Sequence, residues 1–187
     1  MRTVSRSAIR TDVNEELRGK LLIASPQLGD YFHRAVVLVV EHSEEGAMGL
    51  VLNRPTESEV EEAVPSLSGL VDGDERVHAG GPVQPESVIV LGDFEQPGEA
   101  GTHVAGTLGL LDPDRPDADL RRARVFAGYA GWAPGQLDLE LEQEAWIVED
   151  VAIDDPFAEE DLWSSVLARK GGQYALLASM PADPSLN

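Results

Sequence analysis

Four histidines, His33, His42, His78 and His103, are the side chains of this sequence best suited to acid–base or metal chemistry, and they lie in separate segments. None has a second histidine four residues away, the spacing that sets two imidazoles on one helix face around a metal. Asp30 with His33, or Glu41 with His42, could supply ligands or a proton-transfer pair. Neighbouring strand residues such as Glu41 and His42 point to opposite faces, which weakens that pair. The chain has no Cys, so disulfides, thiolate ligands and a cysteine nucleophile are excluded. It also lacks the serine elbow, the phosphate-binding loop, the paired-histidine zinc helix and the dinucleotide fingerprint. No metal site and no cofactor are expected.

Three clusters punctuated by glycine or proline say more: Asn53-Arg54-Pro55, Gly80-Gly81-Pro82, and the run 128–136. Glycine permits tight turns and close backbone approach, so such clusters either shape turns or line a site. In the third, a strand is expected to pass through a glycine-rich turn into a helix N-terminus, whose free N–H groups could receive an anion or a carbonyl oxygen. Each cluster follows a predicted strand, where loop residues are well placed to meet a ligand. The candidate binding residues are therefore Asn53, Arg54, Gly80, Gly81, Tyr129, Gly131, Trp132, Gly135, Gln136 and Glu140, expected to converge on one cleft. Asn53, Gln136 and Glu140 would be its polar groups and Trp132 its apolar wall. Gln136 and Glu140 stand one helical turn apart, and the Glu140 carboxylate favours a neutral or cationic ligand.

The elements that must position these residues follow from patterning. Residues 20–25, 35–41 and 47–52 read as strands, the second an almost unbroken Val/Leu run that implies burial on both faces. The short connection at 43–46 predicts an antiparallel hairpin. Residues 57–64 read as a short helix, 66–74 as a loop, and 76–79, 87–92, 102–111 and 122–127 as strands. The segment 137–145 alternates Leu with acids, but Leu137, Leu141 and Ala145 also share a helical face, and helix is preferred with Pro134 in its first turn. A strand at 146–151 precedes a helix opening on Asp155-Pro156 and ending at Gly171-Gly172, and 174–179 reads as a last strand.

With 42% apolar and 26% charged residues in 187, the composition suits one folded unit with an ample core. The longest apolar run, 35–40, is far short of a bilayer span, and no membrane association is expected. Residues 1–16 carry Arg2, Arg6 and Arg10 without a signal-like apolar stretch; a flexible segment ahead of a single domain at 17–187 and a cytoplasmic location are expected. The formal charge of −20, from 34 acids against 14 Lys and Arg, repels polyanions, so direct nucleic acid binding is not expected.

Four ordered motifs carry a resemblance: G-x-L-L-I-A-x-P at 19–26, G-L-V-L-N-R-P at 49–55, G-G-P-V at 80–83 and G-Y-A-G-W-x-P-G-Q-L at 128–137. From about Leu17 to the end the chain resembles the bacterial YqgE/AlgH family. The resemblance implies an α+β fold whose largely antiparallel β-sheet curls into a pseudo-barrel with helices packed outside. It transfers no catalytic residues, and the label of transcriptional regulator borne by some members defines no mechanism. The residues point to a non-enzymatic binding or regulatory domain for an unknown small molecule or protein. The alternative is an enzyme of unrecognised type acting on a small molecule, and a regulator binding DNA directly is disfavoured by the charge.

Overall fold

The computed structural model describes residues 17–183, so the N-terminal segment 1–16 lies outside the described residues. Ten strands form one mostly antiparallel sheet: β1 (Lys20–Ala24), β2 (Val36–Ser43), β3 (Gly46–Val51), β4 (Pro55–Glu59), β5 (Arg76–Ala79), β6 (Val83–Phe94), β7 (Thr102–Ala105), β8 (Leu108–Leu110), β9 (Leu120–Trp132) and β10 (Trp146–Asp150). Four short helices accompany them: α1 (Val60–Ala63), α2 (Gln136–Glu142), α3 (Leu162–Lys170) and α4 (Gln173–Ala178). The main strand order is β10-β1-β2-β3-β9-β6-β8-β7.

The Val/Leu run of β2 lies inside this order, and its residues are buried alternately on the two faces. Leu21, Ile23, Val36, Leu38 and Val40 face one way with Leu91, Phe126 and the α3 residues Leu162, Trp163, Val166 and Leu167. Leu22, Val37 and Val39 face the other way with Trp132, Trp146 and Leu137 of α2. Each face thus has a helical cover, which is why β2 needs no polar side. Val104 and Leu108, from the far end of the order, join the cluster of Leu21 and Ile23. The sheet therefore curls about α3, but its hydrogen-bond ladder ends at β10 and β7 and does not close.

One strand organises the rest. β9 pairs antiparallel with β6 along one edge, through Ile89↔Phe126, Val90↔Val125 and their neighbours. Along its other edge it pairs first with β5, parallel, at His78↔Phe126, and then with β3, antiparallel, at Gly49↔Ala130. At the changeover Gly80 donates its N–H to the Ala127 carbonyl (2.9 Å) and accepts from the Val51 N–H (2.8 Å). A Cβ on Gly80 would strike the Gly128 carbonyl, and one on Gly81 would strike the Tyr129 backbone. The glycines of the second and third clusters thus let three backbones meet in the space of two.

At the far end of the sheet, β10 pairs among the described residues only with β1. The Val148 carbonyl accepts from Lys170 Nζ (2.9 Å) and the Asp150 carbonyl from Arg169 Nη2 (3.3 Å). The same Arg169 grips the buried Asp155 carboxylate with two bonds of 2.8 Å.

Several elements differ from the expectation. Residues 57–59 belong to β4, whose Pro55 and Glu59 pair with His78 and Arg76; only one helical turn follows, at α1. Residues 65–70 form a 3-10 helix within the expected loop. The segment 128–132 is strand, not turn, because its glycines serve close approach; the turn is confined to 133–135 and α2 begins at Gln136 after Gly135, whose φ is 74°. Asp155-Pro156 opens a 3-10 turn (Asp155–Phe157), whereas α3 starts at Leu162 with Asp161 Oδ1 accepting from the Ser164 N–H (3.2 Å). Residues 174–178 are helical: Tyr174, Leu177 and Ala178 pack on the core at helical spacing and leave Leu176 outside. A continuous Ala/Leu run carries no period that separates the two states.

The crossing at β9 makes a direct prediction. Gly80→Ala should lower stability by about 3 kcal/mol, because the added methyl meets backbone that cannot rotate away. Gly98→Ala, whose new methyl meets nothing within 4 Å, should change little. Urea denaturation of the two variants checks the contrast.

Candidate functional site

The expected single cleft divides into two places on opposite faces of the sheet. Trp132, Gln136 and Glu140 come together with Trp146 on the α2 face. Both indole N–H groups donate to the same Glu140 oxygen, Oε2, each at 2.8 Å. Gln136 Nε2 donates to the other oxygen, Oε1 (3.0 Å), and Gln136 Oε1 accepts from the Ala133 N–H (3.0 Å). The two indoles meet edge to face at 6.1 Å, with Trp132 only 7% exposed. Glu140 here collects the donors of two buried aromatic rings, and Gln136 closes the turn ahead of α2. The partner unforeseen from the sequence is Trp146.

Asn53, Arg54, Gly80, Gly81 and Tyr129 gather instead near the crossing. Asn53 Oδ1 accepts from the Val36 N–H (3.0 Å) and its Nδ2 donates to the Arg34 carbonyl (2.9 Å), replacing a rung where β2 and β3 diverge. Arg54 Nη2 donates to the carbonyls of Tyr31 (3.0 Å) and His33 (2.7 Å). Its backbone carbonyl accepts from Ala79 (2.8 Å). Tyr129 pairs with Val83 and leans on the core, Gly131 pairs with Met48 in the β3–β9 ladder, and Gly135 precedes α2.

Beside this group opens a polar cavity of about 530 Å³, bounded by the 53–59 segment, β5, β9 and the stretch leading into α3. Asn53 and Pro55 line it, so one sequence cluster does border a cavity. Its floor is set by two buried ionisable residues that patterning did not single out as a pair. Arg124, 3% exposed, donates Nε to Glu75 Oε1 (2.8 Å), Nη1 to the carbonyls of Pro156 (3.1 Å) and Ala158 (3.2 Å), and Nη2 to Glu159 Oε1 (2.9 Å). It stitches β9 to the segments on both sides and has little capacity left for a ligand.

His78, 6% exposed, lies against Phe126 with ring centroids 5.8 Å apart. Its Nδ1–H donates to the Arg76 carbonyl (3.1 Å), which selects the tautomer with a lone pair on Nε2. No described residue hydrogen-bonds Nε2. Burial, seconded by the Arg124 charge, lowers its pKa from 6.5 to about 4, against the opposing pull of the Arg76 carbonyl and Glu159. At neutral pH the ring is therefore an uncharged acceptor facing the cavity.

The remaining histidines are otherwise engaged. His33 Nε2 lies 3.4 Å from the Ala182 carbonyl and His103 Nε2 2.9 Å from that of Gly106. His42 Nε2 is 3.7 Å from Asp138, while its buried Nδ1 has no partner. Among the described residues no group of three or more His, Asp or Glu is arranged to hold a metal ion. A larger cavity of about 710 Å³, walled by Val64, Leu67, Ile89, Leu110 and Pro113, is chiefly apolar and contains no buried ionisable side chain. No helix among the described residues is long and apolar enough to cross a membrane.

This fold and these motifs define a class. The AlgH-like family model matches residues 21–175, and the chain belongs to that family. A UPF0301 protein of Streptomyces coelicolor is 43% identical over 187 residues, covering 91% of this chain and 95% of that one. A crystal structure of a Corynebacterium diphtheriae protein matches with TM-score 0.80 and 30% identity over 88% of this chain and 92% of that one. The solution structure of the AlgH protein from Pseudomonas aeruginosa matches with TM-score 0.67 and 28% identity over 97% and 98%. The resemblance noted in the sequence is thereby shown, as is the α+β fold with its largely antiparallel sheet.

Two predictions follow from the geometry. Glu140→Ala leaves two buried indole donors without an acceptor and should cost about 2–4 kcal/mol, read from urea denaturation by tryptophan fluorescence. His78 supplies a pH dependence: the unfolded chain protonates it near 6.5 and the folded chain only near 4. The unfolded state therefore holds the extra proton between these values, and stability falls as pH drops through that window. The loss should be on the order of 3 kcal/mol. Asp150, held low by its hydrogen bond from Lys20, contributes only below its ordinary 3.8, outside this window. Subtracting the stability profile of His78→Phe from that of the native chain isolates the effect.

Proposed function

We propose that the protein is a cytoplasmic, non-enzymatic binding domain whose ligand occupies the polar cavity beside Asn53 and β5. The observation that carries this reading is the buried His78 ring, fixed by its Nδ1–H and presenting an unused Nε2 lone pair to a space large enough for a small molecule. Nε2 is open to the cavity, so a ligand donor there would form a hydrogen bond sheltered from bulk water. The larger apolar cavity lacks such a convergent polar group, so volume alone does not decide between them.

The same residue argues against the enzymatic alternative. A general base works best with a pKa near the working pH, whereas His78 at about 4 is a weak base and a good acceptor. Arg124, the buried guanidinium of the cavity, is held by four acceptors and so stabilises the cavity wall in preference to a transition state.

Native mass spectrometry of the full chain, purified from bacterial cells without denaturant, tests the reading. The expected result is a discrete small-molecule adduct, depleted in His78→Phe while circular dichroism shows that variant folded. A bare protein mass, with no thermal shift on adding cell extract, would overturn it. Turnover of an extract component would support the enzymatic alternative instead.

A further inference from the structure

We infer that the occupant of this cavity is a small organic cation with N–H donors, a protonated amine or guanidinium; this rests on reading the cavity as a binding site.

Charge around the cavity opening is only partly paired within the protein. Around the opening, Arg124 is matched by Glu75 and Glu159, and Asp161 by Arg34 and the α3 N-terminus. The carboxylates of Glu59, Asp74 and Glu160 also line the cavity and make no hydrogen bond or ion pair with a described residue, against Arg76 alone among the unpaired cations. A molecule entering meets a negative rim, on a chain whose formal charge is −20. An anion would be repelled, and the one guanidinium at the floor is already engaged.

Acidic side chains by themselves mark no site; what points inward is His78. Its ring is 6% exposed, and Nε2 can only accept, so it selects an occupant that brings a donor. A bare metal ion would need several converging ligands, and no described group of three or more His, Asp or Glu provides them. An occupant that places an N–H donor on Nε2 and carries its cationic charge at the rim carboxylates, away from Arg124, satisfies both demands. Such charge-assisted bonds in a partly enclosed space are stronger than the same pairs on an open surface. The volume of about 530 Å³ admits a small organic molecule of several heavy atoms.

Three compounds of one chain length separate charge from shape: putrescine, butanediol and succinate. Each is titrated into the full-length protein at neutral pH while the His78 ring is followed by nitrogen-edited NMR. Putrescine is expected to shift the His78 signals saturably below about 10 mM. The shift should weaken about tenfold in the exposed-carboxylate variant Glu59→Gln/Glu160→Gln and also at high salt. Absence of a saturable putrescine shift at His78 overturns the inference, as does a shift unchanged in that double variant. If butanediol or succinate saturates the site instead, the cation assignment falls but the cavity remains a binding site. If none of the three perturbs His78 and no adduct is found by native mass spectrometry, both fall together.

Discussion

A β-strand has two edges, and β9 serves three neighbours. The solution is to divide one edge between β5 and β3, which forces the chain near Gly80 between Val51 and Ala127. Backbones can approach this closely only if no Cβ stands between them, so Gly80, Gly81 and Gly128 are required by packing. Everything else hangs on that crossing. It aligns β5 parallel to β9, and so sets His78 beside Phe126 and within the electrostatic reach of Arg124. It also sends β3 on to meet the far end of β9, where Trp132 turns toward α2.

The two faces of the sheet handle polarity differently. On the α2 face the polar atoms of Trp132, Trp146, Gln136 and Glu140 satisfy each other, and the network is closed. On the α3 face Arg124 is likewise satisfied, but His78 keeps one nitrogen in reserve. What sets His78 apart is that its unused nitrogen opens on a cavity, whereas the buried unpaired atoms Ser25 Oγ, His42 Nδ1 and Arg54 Nε have no space before them large enough to be reached by solvent. The closed Glu140 network is thus structural, whereas the nitrogen of His78 that opens on the cavity is available to a ligand.

Much of the fold was legible because burial on both faces leaves a plain signature: the β2 run and the β2–β3 hairpin are where the Val/Leu pattern puts them. The motif spacing led to the right family. Glycine was the misleading signal, since a residue needed for close approach inside β9 looks the same in sequence as one needed for a turn. The run at 174–178 failed for a related reason: its helical face appears only once the core it packs on exists. In the site, the Gln136–Glu140 link was readable as a local spacing, whereas Trp146 was not. His78 and Arg124 meet through the parallel pairing of β5 with β9, a long-range contact that no window of neighbouring residues contains.

The outer side of β10 has a bearing on how copies of this chain meet one another. An uncovered sheet border offers a row of carbonyls and N–H groups to any extended segment that drifts past, and recruitment of such segments is how folded proteins begin to stack. Here the two outward carbonyls of Val148 and Asp150 are already taken by the cationic side chains at the end of α3. Another chain could extend the sheet there only by displacing a lysine and an arginine from their acceptors. The last turn of α3 thus works as a guard over the sheet margin, and fraying of that turn is the motion that would expose it to self-assembly.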